Sequence, residues 1–282
     1  MTIIEKLKEL GYNTIAPEFY GKVAEWRSWY VGDVKSFHHY KVRNCGRTVH
    51  CKRYTLGMAK KLAEDWANLL MNEKVKITLE GEKEQAFVDR IFEENNFEVK
   101  ANEMQEMKSA LGTVAYIPRV VSAVSDGEQP IAGTANGIQI DYVTVEHIFP
   151  LAWQNGVIME CAFDSRTTVK GEDYCYLQIH KRKGSGHYDI ENRIFKITNE
   201  SLVEESLANV PGFEKIPPVV HTGSNKRQFV IDRLNIANNF DYYIPLGIPV
   251  YANAIDVLKG VDIAYDSYVN EFLLGKKRIM VK

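Results

Sequence analysis

The alternation of apolar and polar residues predicts amphipathic helices in the first 112 residues. Between residues 56 and 70, apolar residues recur at steps of three and four and so share one helical face: Ala59, Leu62, Ala63, Trp66, Leu69 and Leu70. Further helices are predicted at the N-terminus, over 82–97 with a stop at Asn95-Asn96, and over 102–112 with a stop at Gly112. We expect Leu62, Trp66 and Leu69 to lie in the core, so Trp66→Ala should cost about 3 to 5 kcal/mol.

Period-two patterns predict strands. Val75, Ile77 and Leu79 alternate with polar residues, which is typical of a half-buried strand. Longer strand runs cover 113–121, 137–145, 156–165, 173–182 and 187–199, and the turn residues 183–186 between the last two favour a hairpin. We predict one antiparallel β-meander here. The aromatic first forty residues and the turn-rich stretch 200–253 are expected to be largely irregular.

A long helix is predicted over 253–277. One of its faces carries Ile255, Leu258, Asp262, Tyr265, Val269 and Phe272. About 20 helical residues span about 30 Å. Because Val257, Ile263 and Tyr268 lie on other sides, we expect this helix to contact other subunits or other segments. Together with the meander, these helices predict an α+β fold that ends in a long helix.

Composition and charge restrict the function classes. The 282 residues carry 35 Lys and Arg against 37 Asp and Glu, so no overall positive charge attracts DNA or membranes. No apolar stretch approaches the length of a signal-peptide core or a membrane span. The four cysteines are too sparse for a disulfide framework, which favours the reducing cytoplasm.

Two groups of residues suggest chemistry. The first, His38, His39, Cys45, His50 and Cys51, would suit a metal-dependent nucleic-acid-processing enzyme, although no second metal-binding hook accompanies the cysteines. The second is the basic hairpin Lys181, Arg182 and Lys183, which would suit a DNA-binding module. His147 and its neighbour Glu146 would point to opposite faces of a strand and would not meet. No Walker A, HExxH, GxSxG or GxGxxG motif occurs, which disfavours the common ATPases and hydrolases.

Five sequence blocks in a fixed order carry a family resemblance. They are EWRSWYVGDV with FHHY, LGMAKKLAEDWANLLMNEKVKI, EMKSALGTVAYIP, IQIDYVTVEHIFPLAWQNGVIMECAF and GIPVYANAIDVLKGVDIAYDSYVNEFLLGKKRIMV. In this order they resemble the portal proteins of long-tailed bacteriophages and prophages of Gram-positive hosts, often called minor capsid proteins. The resemblance implies a structural protein without catalytic activity, metal or other cofactor. It forms a ring, usually of twelve copies, at one vertex of the phage head, and double-stranded DNA passes through the channel.

The resemblance also implies a division of the chain and a set of partners. Residues 1–252 would form the wing, 253–275 the first stem helix, and 276–282 the strand that leads to the clip. Candidate contacts with DNA or other subunits are Lys181, Arg182, Lys183, Lys276, Lys277 and Arg278. Terminase, scaffold, major capsid and head-completion proteins are the implied partners, first in the host cytoplasm and then in the virion.

Portal proteins continue through a clip, a second stem helix and a crown, which would follow Lys282. Either a longer protein was cut or the gene is incomplete. Because part of the lateral surface would be missing, we expect the 282 residues alone to be monomeric or weakly associated, whereas the longer form closes into rings.

Overall fold

The computed structural model describes residues 2–44, 46–71, 75–120, 137–199 and 201–275, and shows the predicted α+β fold. Its helices are α1 Ile3–Glu9, α2 Pro17–Val31, α3 Lys35–His38, α4 Met58–Leu70, α5 Glu82–Glu94, α6 Phe97–Leu111 and α7 Ile255–Gly275. Its first strands are β1 His39–Asn44, β2 Arg47–Lys52, β3 Thr113–Val120, β4 Ile138–Thr144, β5 Ile148–Gln154 and β6 Val157–Val169. The later strands are β7 Glu172–Arg182, β8 Tyr188–Thr198, β9 Ser201–Glu205, β10 Val219–His221 and β11 Val230–Arg233.

The aromatic N-terminal region is mostly helical, so the expectation that it is largely irregular was wrong. Helix α2 begins with Pro17 at its first turn and ends at Gly32, whose left-handed backbone (φ 75°) suits glycine. Phe19, Val23 and Trp26 recur at steps of four and three and are buried. Gly21 within the helix obscured this period in the sequence.

Helices α4, α5 and α6 confirm three predicted helices, with one shifted boundary. Helix α6 begins at Phe97 instead of Asn102, because Asn96 takes a left-handed conformation (φ 48°) that ends one helix and starts the next. Gly112 ends α6 as predicted. A Cβ on Gly112 would lie 2.4 Å from the carbonyl oxygen of Gly247, so the chain crosses itself closely here.

The predicted strands belong to two antiparallel sheets instead of one meander. One sheet has the order β10-β8-β7-β6-β5, with β9 also paired to β8. The other has the order β11-β3-β4. Strand β5 escaped prediction because buried Ile148 and Phe149 are consecutive and Pro150 follows, which breaks the period-two pattern. The hairpin turn is confirmed, since the backbone N–H of Lys183 donates to the carbonyl oxygen of His187 over 2.8 Å.

Residues 75–80 do not form the predicted half-buried strand. They have no regular secondary structure, and every one of their side chains is exposed. The period-two pattern is present, but no neighbouring strand or core surface in the described chain covers it. By contrast, the prediction for 200–253 is confirmed over the described residues 201–253, which contain short strands, short 3-10 helices and turns.

Two main groups of buried side chains support the surfaces described below. The larger lies between α2, α4, α6 and β3, with Trp26 fully buried near its centre. The second lies between α1 and the sheet of β5 to β8, around Leu7, Leu177 and Phe195. The first group includes Leu258, so the start of α7 is tied to the same core.

Candidate assembly interface

Helix α7 is fixed to the body by a buried aspartate. Asp262 accepts hydrogen bonds from the Thr55 hydroxyl at 3.1 Å and from the Leu56 backbone N–H at 2.9 Å. Its Oδ2 atom also lies 3.0 Å from Nε2 of His38. Because Nδ1 of His38 accepts from the Val34 backbone N–H at 2.8 Å, the Nε2 atom carries the proton and donates to Asp262. Helix α7, the connection at residues 55–56 and His38 of α3 therefore meet at one carboxylate.

A second aspartate extends this anchor by one turn. Asp266 accepts from the backbone N–H of Tyr54 at 2.9 Å. The connection between β2 and α4 is thus held along α7 by two carboxylates spaced four residues apart, on the same helical face. The sequence carried a signal for this contact, because Asp262 interrupts an otherwise apolar face. A charged residue at such a position is expected to have a buried partner.

The other sides of α7 expose several large apolar side chains. On the predicted face Leu258 is buried and Ile255, Tyr265 and Val269 are partly buried, whereas Phe272 is exposed. The exposed side chains on α7 are Val257, Ile263, Tyr268, Phe272 and Leu273. The rings of Tyr268 and Phe272 lie 4.7 Å apart and contact each other one helical turn apart. Apolar surface of this extent on a helix is typical of an interaction surface.

Helix α4 buries its alanines and exposes its large apolar residues. Ala59, Ala63 and Ala67 are buried against the body, and Leu62 packs against the main core. Trp66 is 49% exposed and Leu69 is 71% exposed, so the prediction that both lie in the core was wrong. Small side chains let α4 approach α6 closely, and this turns the larger residues on the same broad stripe outward. The outer side of α4 is a second exposed apolar surface.

The predicted basic hairpin is largely neutralised by acidic neighbours. Lys181 pairs with Glu191, and Lys183 pairs with Asp189 at 2.5 Å. Arg182 donates through Nε to the carbonyl oxygen of Gly186, within its own turn. This pairing disfavours phosphate binding at the tip. The other predicted cations, Lys276, Lys277 and Arg278, lie outside the described residues.

The proposed metal ligands do not converge. His38 is buried against Asp262, whereas His39 lies on the strand β1 and contacts Asp33 at 2.7 Å. His50 and Cys51 are adjacent on β2 and so point to opposite faces. Cys45 lies outside the described residues. Among the side chains that the structure does place, no three His, Cys, Asp or Glu are grouped closely enough to hold a metal ion.

Cys175, His147 and Asp164 lie close together, as they would in a cysteine nucleophile site. However, their protonation states do not suit nucleophilic catalysis. Asp164 lies 2.8 Å from Nδ1 of His147 and accepts from the Cys175 thiol at 3.6 Å. Burial raises the pKa of Cys175 to about 12, so the thiol stays protonated at neutral pH. The hydrogen bond with Asp164 raises the pKa of His147.

The expected separation of Glu146 from His147 is also seen. Glu146 pairs with Arg27, so Glu146 and His147 do not contact each other, although they lie on a 3-10 turn and not on a strand.

Comparison with known proteins gives one family. A family model described as "Phage portal protein, SPP1 Gp6-like" matches residues 12–281. No curated protein matches the sequence.

In the described parts of the chain, no helix combines the length and the apolar character needed to cross a membrane.

Proposed function

The chain belongs to the SPP1 Gp6-like phage portal protein family, and we propose on that basis that it is a subunit of the ring through which double-stranded DNA enters and leaves the phage head. The family is structural and not enzymatic, and it indicates a homo-oligomeric ring located in the capsid. The single observation that carries the proposal is the family match over residues 12–281. The finer assignment is to portals of long-tailed phages of Gram-positive hosts, called minor capsid proteins.

The proposal assigns a role to each part of the chain. Residues 1–252 form the wing, 253–275 the first stem helix beside the channel, and 276–282 the start of the strand toward the clip. The anchor of Asp262 and Asp266 supports this assignment, because it fixes the direction in which α7 leaves the body. The exposed apolar sides of α7 and α4 provide the lateral surfaces that a closed ring of about twelve copies requires.

The same proposal gives the partners. Terminase docks on the assembled ring during packaging, scaffold and major capsid proteins surround it, and head-completion proteins close it afterwards. The assembly begins in the host cytoplasm and ends in the virion. The formal charge of −2 suits a conduit, because strong phosphate binding along a channel would oppose the sliding of DNA.

Disruption of the gene tests this function. Phage-producing cells that lack the protein should accumulate heads without DNA, and a wild-type copy supplied in trans should restore filled heads. The Asp256→Ala variant serves as a control, because Asp256 is exposed on α7 and, among the described residues, pairs with Lys259 one turn away. Normal DNA-filled heads in the complete absence of the protein would contradict the proposal.

A further inference from the structure

We propose that neighbouring copies of this chain join through a shared β-sheet, in which the β1–β2 ribbon of one copy pairs with the segment 75–79 of the next. The ribbon is the hairpin formed by residues 39–44 and 47–52. The inference rests on the ring proposed above and adds to it a specific contact. Three properties of the two surfaces support it: free backbone edges, matching apolar faces and opposite charge.

The segment 75–79 is already paired along one edge, by a side chain. Gln85 on α5 donates through Nε2 to the carbonyl oxygen of Ile77 at 3.2 Å and accepts at Oε1 from the backbone N–H of Leu79 at 2.7 Å. A residue of a parallel strand bonds to positions i and i+2 of its neighbour in the same manner. The Gln85 amide therefore holds residues 77 and 79 with the spacing of a strand.

The opposite edge of the segment has no partner among the described residues. In an extended chain, the backbone N–H and C=O groups of Lys76 and Thr78 point away from those of Ile77 and Leu79. These groups form no hydrogen bond with any residue that the structure describes. A free strand edge of this kind readily pairs with a strand of another chain.

The apolar side chains of the segment are also uncovered. Val75, Ile77 and Leu79 are 51%, 48% and 45% exposed, although their period-two spacing is that of a strand with one buried face. A pattern of this kind is expected where a sheet is completed by assembly. The missing partner must supply both a backbone edge and an apolar face.

The β1–β2 ribbon offers both a free backbone edge and an apolar face. Strand β1 pairs only with β2, so each strand keeps one free edge within the described chain. Val42 lies opposite Val49 and Tyr40 opposite Cys51, which places these four side chains on one face. Val42 and Val49 are exposed. A two-stranded ribbon is marginally stable in water, and a third strand would stabilise it.

The charges of the two surfaces indicate that the ribbon of one copy binds the segment of a second copy of the same chain. Residues 39–52 contain four Lys or Arg and no Asp or Glu, whereas residues 75–94, from the segment through α5, contain six Asp or Glu and three Lys or Arg. Asp33 neutralises only the base of the ribbon, where it contacts His39 and Lys52. A ring interface joins two different patches of each subunit, and these two patches are complementary. Bound DNA would pair only with the Lys and Arg side chains of the ribbon, and the free strand edges and the apolar faces would stay uncovered.

Disulfide trapping tests the contact. Native Cys51 lies on the apolar face of the ribbon, so a cysteine introduced at Val75, Ile77 or Leu79 can reach it across two copies. Cys45, which lies outside the described residues, is replaced by Ser in every variant. Lys76→Cys and Thr78→Cys are the matched controls, because their side chains lie on the other face of the same segment. Assemblies isolated from phage-producing cells are oxidised and separated on non-reducing gels.

We expect at least one of the three test variants to cross-link about tenfold more than both controls, since a disulfide requires Cα atoms within about 7 Å. The products should form a ladder of dimers, trimers and larger species, because each copy contributes both halves of the contact. Assemblies that form without this cross-link would overturn the strand pairing and leave the portal function standing. Failure of the wild-type protein to assemble at all would overturn both. Salt-sensitive binding of duplex DNA to the ribbon, without cross-linking, would identify DNA as the occupant instead.

Discussion

His180 is a buried histidine whose surroundings oppose its charge. Its ring lies 5.4 Å from the rings of both Phe163 and Phe229, and neither of its nitrogens has a hydrogen-bond partner among the described residues. Burial lowers the pKa of His180 from 6.5 to about 4. Between these two values the unfolded chain binds a proton that the folded chain does not, so stability falls as the pH falls.

We therefore predict that acid destabilises the wild-type protein through His180. Lowering the pH from 7.5 to 4.5 should remove about 2 to 3 kcal/mol of stability through this residue, and His180→Leu should not show that loss. Urea unfolding at both pH values measures the difference. His147, whose raised pKa acts in the opposite direction, is present in both proteins and cancels. An equal loss in the wild type and in the variant would contradict the prediction.

Trp66 and Trp26 have opposite environments, which corrects the expectation from sequence. Trp66→Ala should cost about 1 to 2 kcal/mol, because half of the side chain is already exposed. Trp26→Ala should cost about 3 to 5 kcal/mol, because Trp26 is fully buried. Urea unfolding of the two variants gives the comparison. Equal losses would show that the two environments are energetically alike.

The error over Trp66 has a physical cause at the level of single residues. Helical periodicity identifies a stripe of apolar positions, but it does not distinguish which edge of a wide stripe faces the body. Here Ala63 and Ala67 face inward because close helix packing favours small side chains, and this leaves Trp66 outside. In the ring that we propose, the outer residues of this stripe would contact the neighbouring subunit.

At the scale of elements, the attachment of α7 depends on Asp262. Asp262→Ala would leave the buried ring N–H of His38 and the partly buried backbone N–H of Leu56 without their acceptor. We predict a loss of about 3 kcal/mol, since these bonds are made to a buried carboxylate. Urea unfolding measures the loss, and hydrogen exchange at Leu56 should become faster.

Asp256→Ala is the matched control on the same helix. Asp256 is exposed and pairs with Lys259 at 2.9 Å, so its removal should change stability by no more than about 0.5 kcal/mol. If Asp256→Ala costs as much as Asp262→Ala, the buried anchor contributes nothing specific to the position of α7.

Sequence periodicity predicted the types of most elements better than their partners. Strands β3, β4, β6, β7 and β8 and helices α4 to α7 have local patterns that identify them. They divide into two sheets because β4 and β5 are not paired with each other, and the smaller sheet gains its third strand from the distant β11, which has only four residues. Likewise, the contact between His38 and Asp262 joins residues 224 positions apart, and no local pattern encodes such a distance.

At the scale of the whole molecule, the uncovered features share one explanation. The outer sides of α4 and α7, the segment 75–79 and the β1–β2 ribbon all expose apolar residues in the isolated chain. In the ring that we propose, each subunit would cover part of its neighbour, and these exposed apolar surfaces would become buried. The sequence predicts apolar residues on several sides of α7, and they are exposed, whereas at α4 and 75–79 it predicts burial instead. The contact of α7 with other subunits stays a prediction.

The most direct test is electron cryo-microscopy of the head vertex that contains this protein. We predict a closed ring of identical copies, about twelve in number, with α7 bordering a central channel wide enough for duplex DNA. Isolated single copies at the vertex, or a ring in which α7 lies on the outer rim away from the channel, would contradict the account.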